Sequence, residues 1–301
     1  MRARLWVFYT ITLVFIQLAT AAELKKRVAV FDFEDKTDHH IRWWTGQPVG
    51  EGMADMLVTA LVKTDRYQVL ERADIEQIIE EQKLGQSGLV TQESAAQVGK
   101  LLGVEIAIIG AVTEFGYSEG GVGGRLKQKG LGLGIKESEA TVGIDVRFIN
   151  TTSGEILMAE NVRKSNSKKG LSLDTPDFNF DSRNKFDESI VGKATRDAID
   201  TIVEILDANA PSIPWQAKVI RGDPIYINAG SLSGVSVGDV FDVYRPGEEL
   251  IDPDTGLVLG STESKIGSVR VTQNNIGNGK ASQCEAVTGS DFQRNDIVRP
   301  Q

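Results

Sequence analysis

Hydrophobic positions along the chain fall into two textures. Through residue 207, runs with a period of two alternate with runs spaced three and four apart; beyond it only short β-branched segments recur, separated by glycines. Arg27 to Phe33 alternates Val28 and Val30 with Ala29, Phe31 and Phe33, and is apolar on both sides, which predicts a central strand. From Pro48 and Gly50 to Val62 a helix is predicted, with Met53, Met56, Leu57, Ala60 and Leu61 as its apolar stripe. A short strand at Tyr67–Leu70 follows, then helices over Glu71–Leu84 and from Thr91 to Leu102, the second ending at Gly103. Ile106–Ile109 is a buried-strand run, and Ala140, Val142, Ile144, Val146 and Phe148 alternate strictly with polar or small residues. Between those two strands glycines crowd the sequence, and Leu131, Leu133 and Ile135 alternate with Gly130, Gly132 and Gly134. An extended, closely packed segment is expected there.

Ile156–Lys164 predicts a strand paired with Thr141–Ile149, and residues 163–184 are charged and turn-rich, with a period of two only at Leu171/Leu173 and Phe178/Phe180. A long helix is expected from Phe186 to Leu206, with Ile190, Val191, Ala194, Ala198, Ile199, Ile202, Val203 and Leu206 buried. Strands interleaved with helices make this part an α/β domain. Pro211–Pro214 is a stiff linker, and the β-branched runs beyond it predict a small all-β, barrel-like domain. The expected organisation is 1–21 signal peptide, 22–210 α/β domain, 211–214 linker and 215–301 β domain.

The signal peptide rests on Arg2 and Arg4, an apolar run from Leu5 to Leu18 and Ala19-Thr20-Ala21 as cleavage site. Its removal takes away both arginines, so a formal charge of -9 becomes -11. That acidity argues against a nucleic-acid partner, which needs clustered Lys and Arg. Cys284 is the only cysteine, so neither an intramolecular disulfide nor a cysteine zinc site can form. Export without disulfides suits a periplasm.

Catalytic constellations are missing from the sequence. His39 and His40 are the only histidines, no G-x-S-x-G is present, and GSLSG at 230–234 carries leucine where a nucleophile would stand. Gly99-Lys100 and Gly192-Lys193 lack a phosphate loop's upstream glycine. Adjacent histidines in an extended loop point opposite ways and do not readily share one ion. Asp252-Pro-Asp254-Thr-Gly256 lacks the terminal glutamate of a calcium loop and reads as a hairpin tip. Neither enzyme activity nor a cofactor is expected. Trp43-Trp44 in a polar loop must bury against something, either the chain's own core or a neighbour.

The motifs MLVTAL at Met56–Leu61, LER at Leu70–Arg72, IGAVTEFGYSEGGVGG at Ile109–Gly124 and VRFINTTSGEIL at Val146–Leu157 together resemble the curli secretion channel (CsgG-like) family, over about residues 27 to 207. The tail, through AGSLSGVSVGDVFDVYRPG and the closing NDIVRP, resembles the C-terminal module of flagellar assembly protein T. The first resemblance implies a CsgG-like α/β sandwich domain with β-hairpin insertions, copies of which form a ring in the outer membrane for export of protein subunits. Its first hairpin would be the glycine-rich stretch, with Phe115, Tyr117, Val122, Leu131, Leu133 and Ile135 as candidate lipid-facing residues. Its second would be residues 162–184. The constriction loop maps to about Asp38–Gly46, making His39, His40, Trp43 and Trp44 candidates to line a lumen or meet a partner. The family's lipidated N-terminal cysteine has no counterpart, so anchoring by lipid is not expected. The alternative is a soluble periplasmic accessory that binds an envelope or flagellar assembly without forming a pore.

Overall fold

The computed structural model describes residues 23–37, 46–70, 103–121, 136–151, 153–170, 183–251, 253 and 258–301. They form a mixed sheet covered by helices and, C-terminal to it, a closed barrel. β1 (Lys26–Val30) lies between β3 (Tyr67–Val69) and β4 (Ile106–Gly121), parallel to both, and β2 (Glu34–Asp35) adds to β4 further along. β5 (Lys136–Asn150) and β6 (Ile156–Gly170) continue the sheet antiparallel, giving the order β3-β1-β4-β5-β6.

Helix α1 (Val49–Thr64) buries Met53, Leu57 and Leu61, with Met56 and Ala60 partly buried on the same stripe, as its 3.6-residue period requires. The long C-terminal helix of this domain is interrupted: α2 (Arg183–Glu188) stops before Ser189, and α3 (Ile190–Asn209) restarts from it. Ser189 caps α3 by accepting from the Gly192 N–H at 3.0 Å, which gives a reason for the break inside the helix predicted from Phe186. The turn folds the Phe186 carbonyl so close over Gly192 that a Cβ there would overlap it. α1 and α3 pack on each other and on one face of the sheet, over Val30, Ile108, Phe115, Val142, Ile144, Val146 and Phe148. The other face also buries Ala29, Phe31, Ala107, Ile109 and Ile149. Tyr67 ties β3 to α3 through a 2.8 Å hydrogen bond to Asp207, and burial beside that carboxylate raises its phenol pKa.

The described helices form a single layer on a mostly β domain, one side of the expected α/β sandwich; the predicted helices at Glu71–Leu84 and Thr91–Leu102 lie outside the described residues. β6 runs longer than its residue pattern predicts. It continues past Lys164 through residues 165–170, where the charged, turn-rich sequence shows no strand period and only the family resemblance implied a hairpin, because pairing with β5 is made by backbone and holds step by step from Val142↔Lys164 to Lys136↔Gly170. Lys, Arg and Ser suit an edge strand that must discourage stray pairing.

β7 (Ala217–Gly222), β8 (Ile225–Ile227), β9 (Val240–Ile251), β10 (Val258–Ile276), β11 (Ala281–Gly289) and β12 (Ile297–Pro300) close a barrel in the order β10-β11-β8-β7-β12-β9. It has a separate core of Trp215, Val219, Ile227, Phe241, Val243, Val269 and Val298, where Trp215 stacks on Phe241 at 5.4 Å. Closure removes the free edges that short strands would otherwise expose.

Candidate assembly surfaces

The sheet's most unusual part is the ribbon of β4, β5 and β6, whose strands run 16, 15 and 15 residues. Buried side chains occupy one end of it. At the other, Tyr117 reaches the first turn of α3, where its hydroxyl bonds the Ser189 side chain and the Val191 backbone, and burial holds its pKa above the usual phenol value. Asn166 meets α3 there too, donating to Asp197 at 2.9 Å. Pairing continues from Ser118↔Glu139 to Gly121↔Lys136, four further steps or about 13 Å at ~3.3 Å per residue. Glu139, Ser167 and Lys168 are exposed along it.

A β-bulge between Val112 and Glu114 decides which way this ribbon faces. Before it, Ile106, Ile108 and Val112 point under the helices; after it, Phe115 and Tyr117 do. Phe115 is 6% exposed and Tyr117 half-buried, so both belong to the core beneath α3 and not to an outward-facing row. The opposite face is polar: Thr141 and Ser165 share a 2.9 Å hydrogen bond, and Arg163 pairs with Glu114 at 2.9 Å. Val122, Leu131, Leu133, Ile135, His39, His40, Trp43 and Trp44 lie outside the described residues, as do residues 171–182 of the second hairpin.

At the far end of β4 sits a junction that sequence reasoning missed. Arg27 and Glu105, 7% and 3% exposed, pair through the Arg27 backbone N–H at 2.7 Å, Nε at 3.4 Å and Nη2 at 3.2 Å. The same guanidinium donates into the barrel, to the Gln216 carbonyl at 2.7 Å and the Asn228 carbonyl at 3.2 Å. Around it, the Lys25 N–H donates to the Ser233 carbonyl, the Trp215 indole to the Lys25 carbonyl, and Ser233 to the Gln68 side chain. Leu24 packs on the barrel core, and Gly234 lies so near the Glu23 carbonyl that a Cβ would collide with it. A visible signal was the placing of Arg27 and Glu105 beside the first residues of apolar central strands. Because β4 starts at this junction and ends at the ribbon tip, barrel and ribbon occupy opposite poles.

Among the described residues no group of three or more His, Cys, Asp or Glu could hold a metal ion, and no helix is long and apolar enough to cross a membrane. Burial pushes the Cys284 thiol up to about 12, making it inert.

The sequence profile of the family "Curli production assembly/transport component CsgG" matches residues 12–217. The protein of that name from Salmonella typhimurium is 25% identical over 147 residues, covering 46% of this chain and 52% of the relative, so the chain spans about half the length of the curated relatives it matches. Similar solved structures include a hypothetical protein from Chlamydia trachomatis (14% identical, 62% of this chain and 99% of that one, TM-score 0.39). The C-terminal domain of LpoB from Salmonella enterica is another (13% identical, 48% and 86%, TM-score 0.31). Neither superposition is close enough to carry an argument. The profile covers the sheet domain from before β1 to the start of the barrel, more than half of the chain, and the chain belongs to the CsgG family.

Proposed function

We propose that this protein is a non-enzymatic envelope component that forms an oligomeric ring for protein export or assembly at the outer membrane, with its β ribbon entering the bilayer as hairpins. The carrying observation is the register at the ribbon's end. Gly121 pairs with Lys136, and Lys136 with Gly170. On this reading the same pairing would continue into the hairpins, which would set Val122 beside Ile135, Ile135 beside Leu171 and Leu133 beside Leu173, with Leu131 on the same face, opposite Tyr117, Ala140 and Asn166. Gly123, Arg125, Gly132, Gly134 and Ser172 would then take the core-side face.

The apolar side of the ribbon would thus invert on leaving the domain. Beneath α3 the core side is apolar; beyond it, on this reading, the outer side would be. A strand passing from a helix-covered sheet into a membrane barrel needs this inversion, since its inner face becomes a wet lumen and its outer face meets lipid. Length agrees as well: 22 residues separate Tyr117 from Ala140, enough for two strands of about 9–11 residues and a tight turn. The apolar row rests on Val122, Leu131, Leu133 and Ile135, without Phe115 and Tyr117.

The second reading, a soluble periplasmic accessory, is favoured by the charge of the ribbon neck at Lys136, Glu137, Glu139, Lys168 and Lys169. The tail's resemblance to a flagellar assembly module fits that reading equally. Cysteine scanning separates the two, because buried Cys284 contributes no background. In membrane vesicles, cysteines at Gly130, Gly132 and Gly134 should react with an impermeant maleimide while those at Leu131, Leu133 and Ile135 stay protected. Uniform labelling of all six would leave only the soluble reading.

A further inference from the structure

The barrel carries a projection that its own core does not explain. β9 leaves β12 after Tyr244↔Ile297, and β10 joins β11 only from Gly267↔Gly289. Between these points the two strands pair only with each other among the described residues, from Ser264↔Arg245 out to Val258↔Ile251. This makes a two-stranded arm roughly 20 Å long at ~3.4 Å per residue. Pro246, Gly247, Glu248 and Leu250 on one strand and Gly260, Thr262 and Glu263 on the other are exposed, Leu250 at 50%. A two-stranded ribbon is marginal in water without a surface to pack on, and an exposed leucine far from the core adds to the cost.

Charge separates arm from barrel. From Pro246 to Ser264 there are five acids and no base, whereas the rest of residues 215–301 holds eight bases and six acids. The end of the barrel from which the arm leaves, remote from the Arg27 junction, carries a complementary patch. Ile220 is 44% exposed there, beside Arg221, whose guanidinium lies 4.9 Å over the Tyr226 ring. Arg294, also exposed, is held close because Val219 exchanges backbone hydrogen bonds with Asn295 and Asp296. Leu250, preceded in the sequence by Glu248 and Glu249, matches Ile220 with its neighbours Arg221 and Arg294 in both polarity and charge.

We infer that the arm of one protomer docks on the Ile220–Arg221–Arg294 patch of a second copy of this chain. The inference rests on the ring reading above, and the geometry suits it. In a closed ring each copy meets the next through two different surfaces, and all copies share one axial direction. Arm and patch leave the same end of the barrel, so neighbours standing side by side present them at the same level.

The test uses the full chain carrying Leu250→Cys and Ile220→Cys, with assembly mass measured separately by mass photometry. Oxidation should give a ladder of disulfide-linked dimers, trimers and higher species that neither single variant gives. Glu248→Arg with Glu249→Arg should weaken association about tenfold or more, and Arg221→Glu with Arg294→Glu in the same chain should restore it. A wild-type ring with no ladder, or a ring indifferent to the charge reversals, would overturn the docking and leave the ring standing. A monomeric wild type would overturn both.

Discussion

Replacing Arg27 by alanine removes a side chain that is bonded at once to the sheet domain and to the barrel. Glu105, 3% exposed, would keep a buried carboxylate facing only the Arg27 backbone N–H, and the Gln216 and Asn228 carbonyls would each lose a charged donor. Breaking a buried pair in this way costs about 3–5 kcal/mol, mostly because the surviving charge is stranded. Removing both charges behaves differently. With Arg27→Met and Glu105→Leu the sheet core is repacked without a buried ion, and what remains is the loss of neutral hydrogen-bond partners, for the two barrel carbonyls and for the residue 27 N–H that Glu105 had accepted from, about 1–3 kcal/mol. The double variant should therefore be more stable than Arg27→Ala. Urea unfolding followed by Trp215 fluorescence, with Trp6, Trp43 and Trp44 replaced by Phe, reads the junction directly, since Trp215 donates to the Lys25 carbonyl. Hydrogen exchange should quicken at Val219 and Asn228 in both variants. A cost below about 1 kcal/mol for Arg27→Ala, or a double variant weaker than the single one, would refute the pair's structural role.

Three further outcomes follow from local geometry. Gly192→Ala should cost about 1–3 kcal/mol in thermal unfolding, because its Cβ would overlap the Phe186 carbonyl and the Ser189 turn cannot give way without moving α2. The Cys284 thiol should resist a disulfide reagent in the native protein and react only on unfolding. Its raised pKa also means that from about pH 9 the unfolded chain gives up a proton the folded one keeps, so stability should fall with rising pH, by roughly 1 kcal/mol per unit, and a Cys284→Ser variant should lose that slope between about pH 9 and 10, below the range where Tyr67 and Tyr117 add their own. Leu133→Arg should weaken membrane integration by about 2–4 kcal/mol in a detergent-extraction assay while Gly132→Ser has little effect.

The stripes of α1 and α3 could be read directly because each buries a face with the period of its own backbone. The barrel's class was legible from short β-branched runs, but its closure depends on β12 reaching β7 and β9 together, a long-range pairing with no local signature. The outer part of β6 was legible only through the family resemblance, since those residues are held by backbone pairing, which Lys and Ser neither announce nor forbid. Phe115 and Tyr117 went to the wrong face because one bulge after Val112 reverses the alternation, and nothing in AVTEFGY marks it. Arg27 and Glu105 are 78 residues apart, beyond any periodicity. The loop with His39, His40, Trp43 and Trp44 keeps its sequence-based role as a candidate lumen or partner surface, and changing both tryptophans to alanine would test it by conductance and assembly.

Electron microscopy of the detergent-extracted full-length protein tests the central claim most directly. Closed rings should appear, bearing a detergent belt at the ribbon pole, with the barrels at the opposite end. Single soluble particles, or rings without a belt, would contradict that claim.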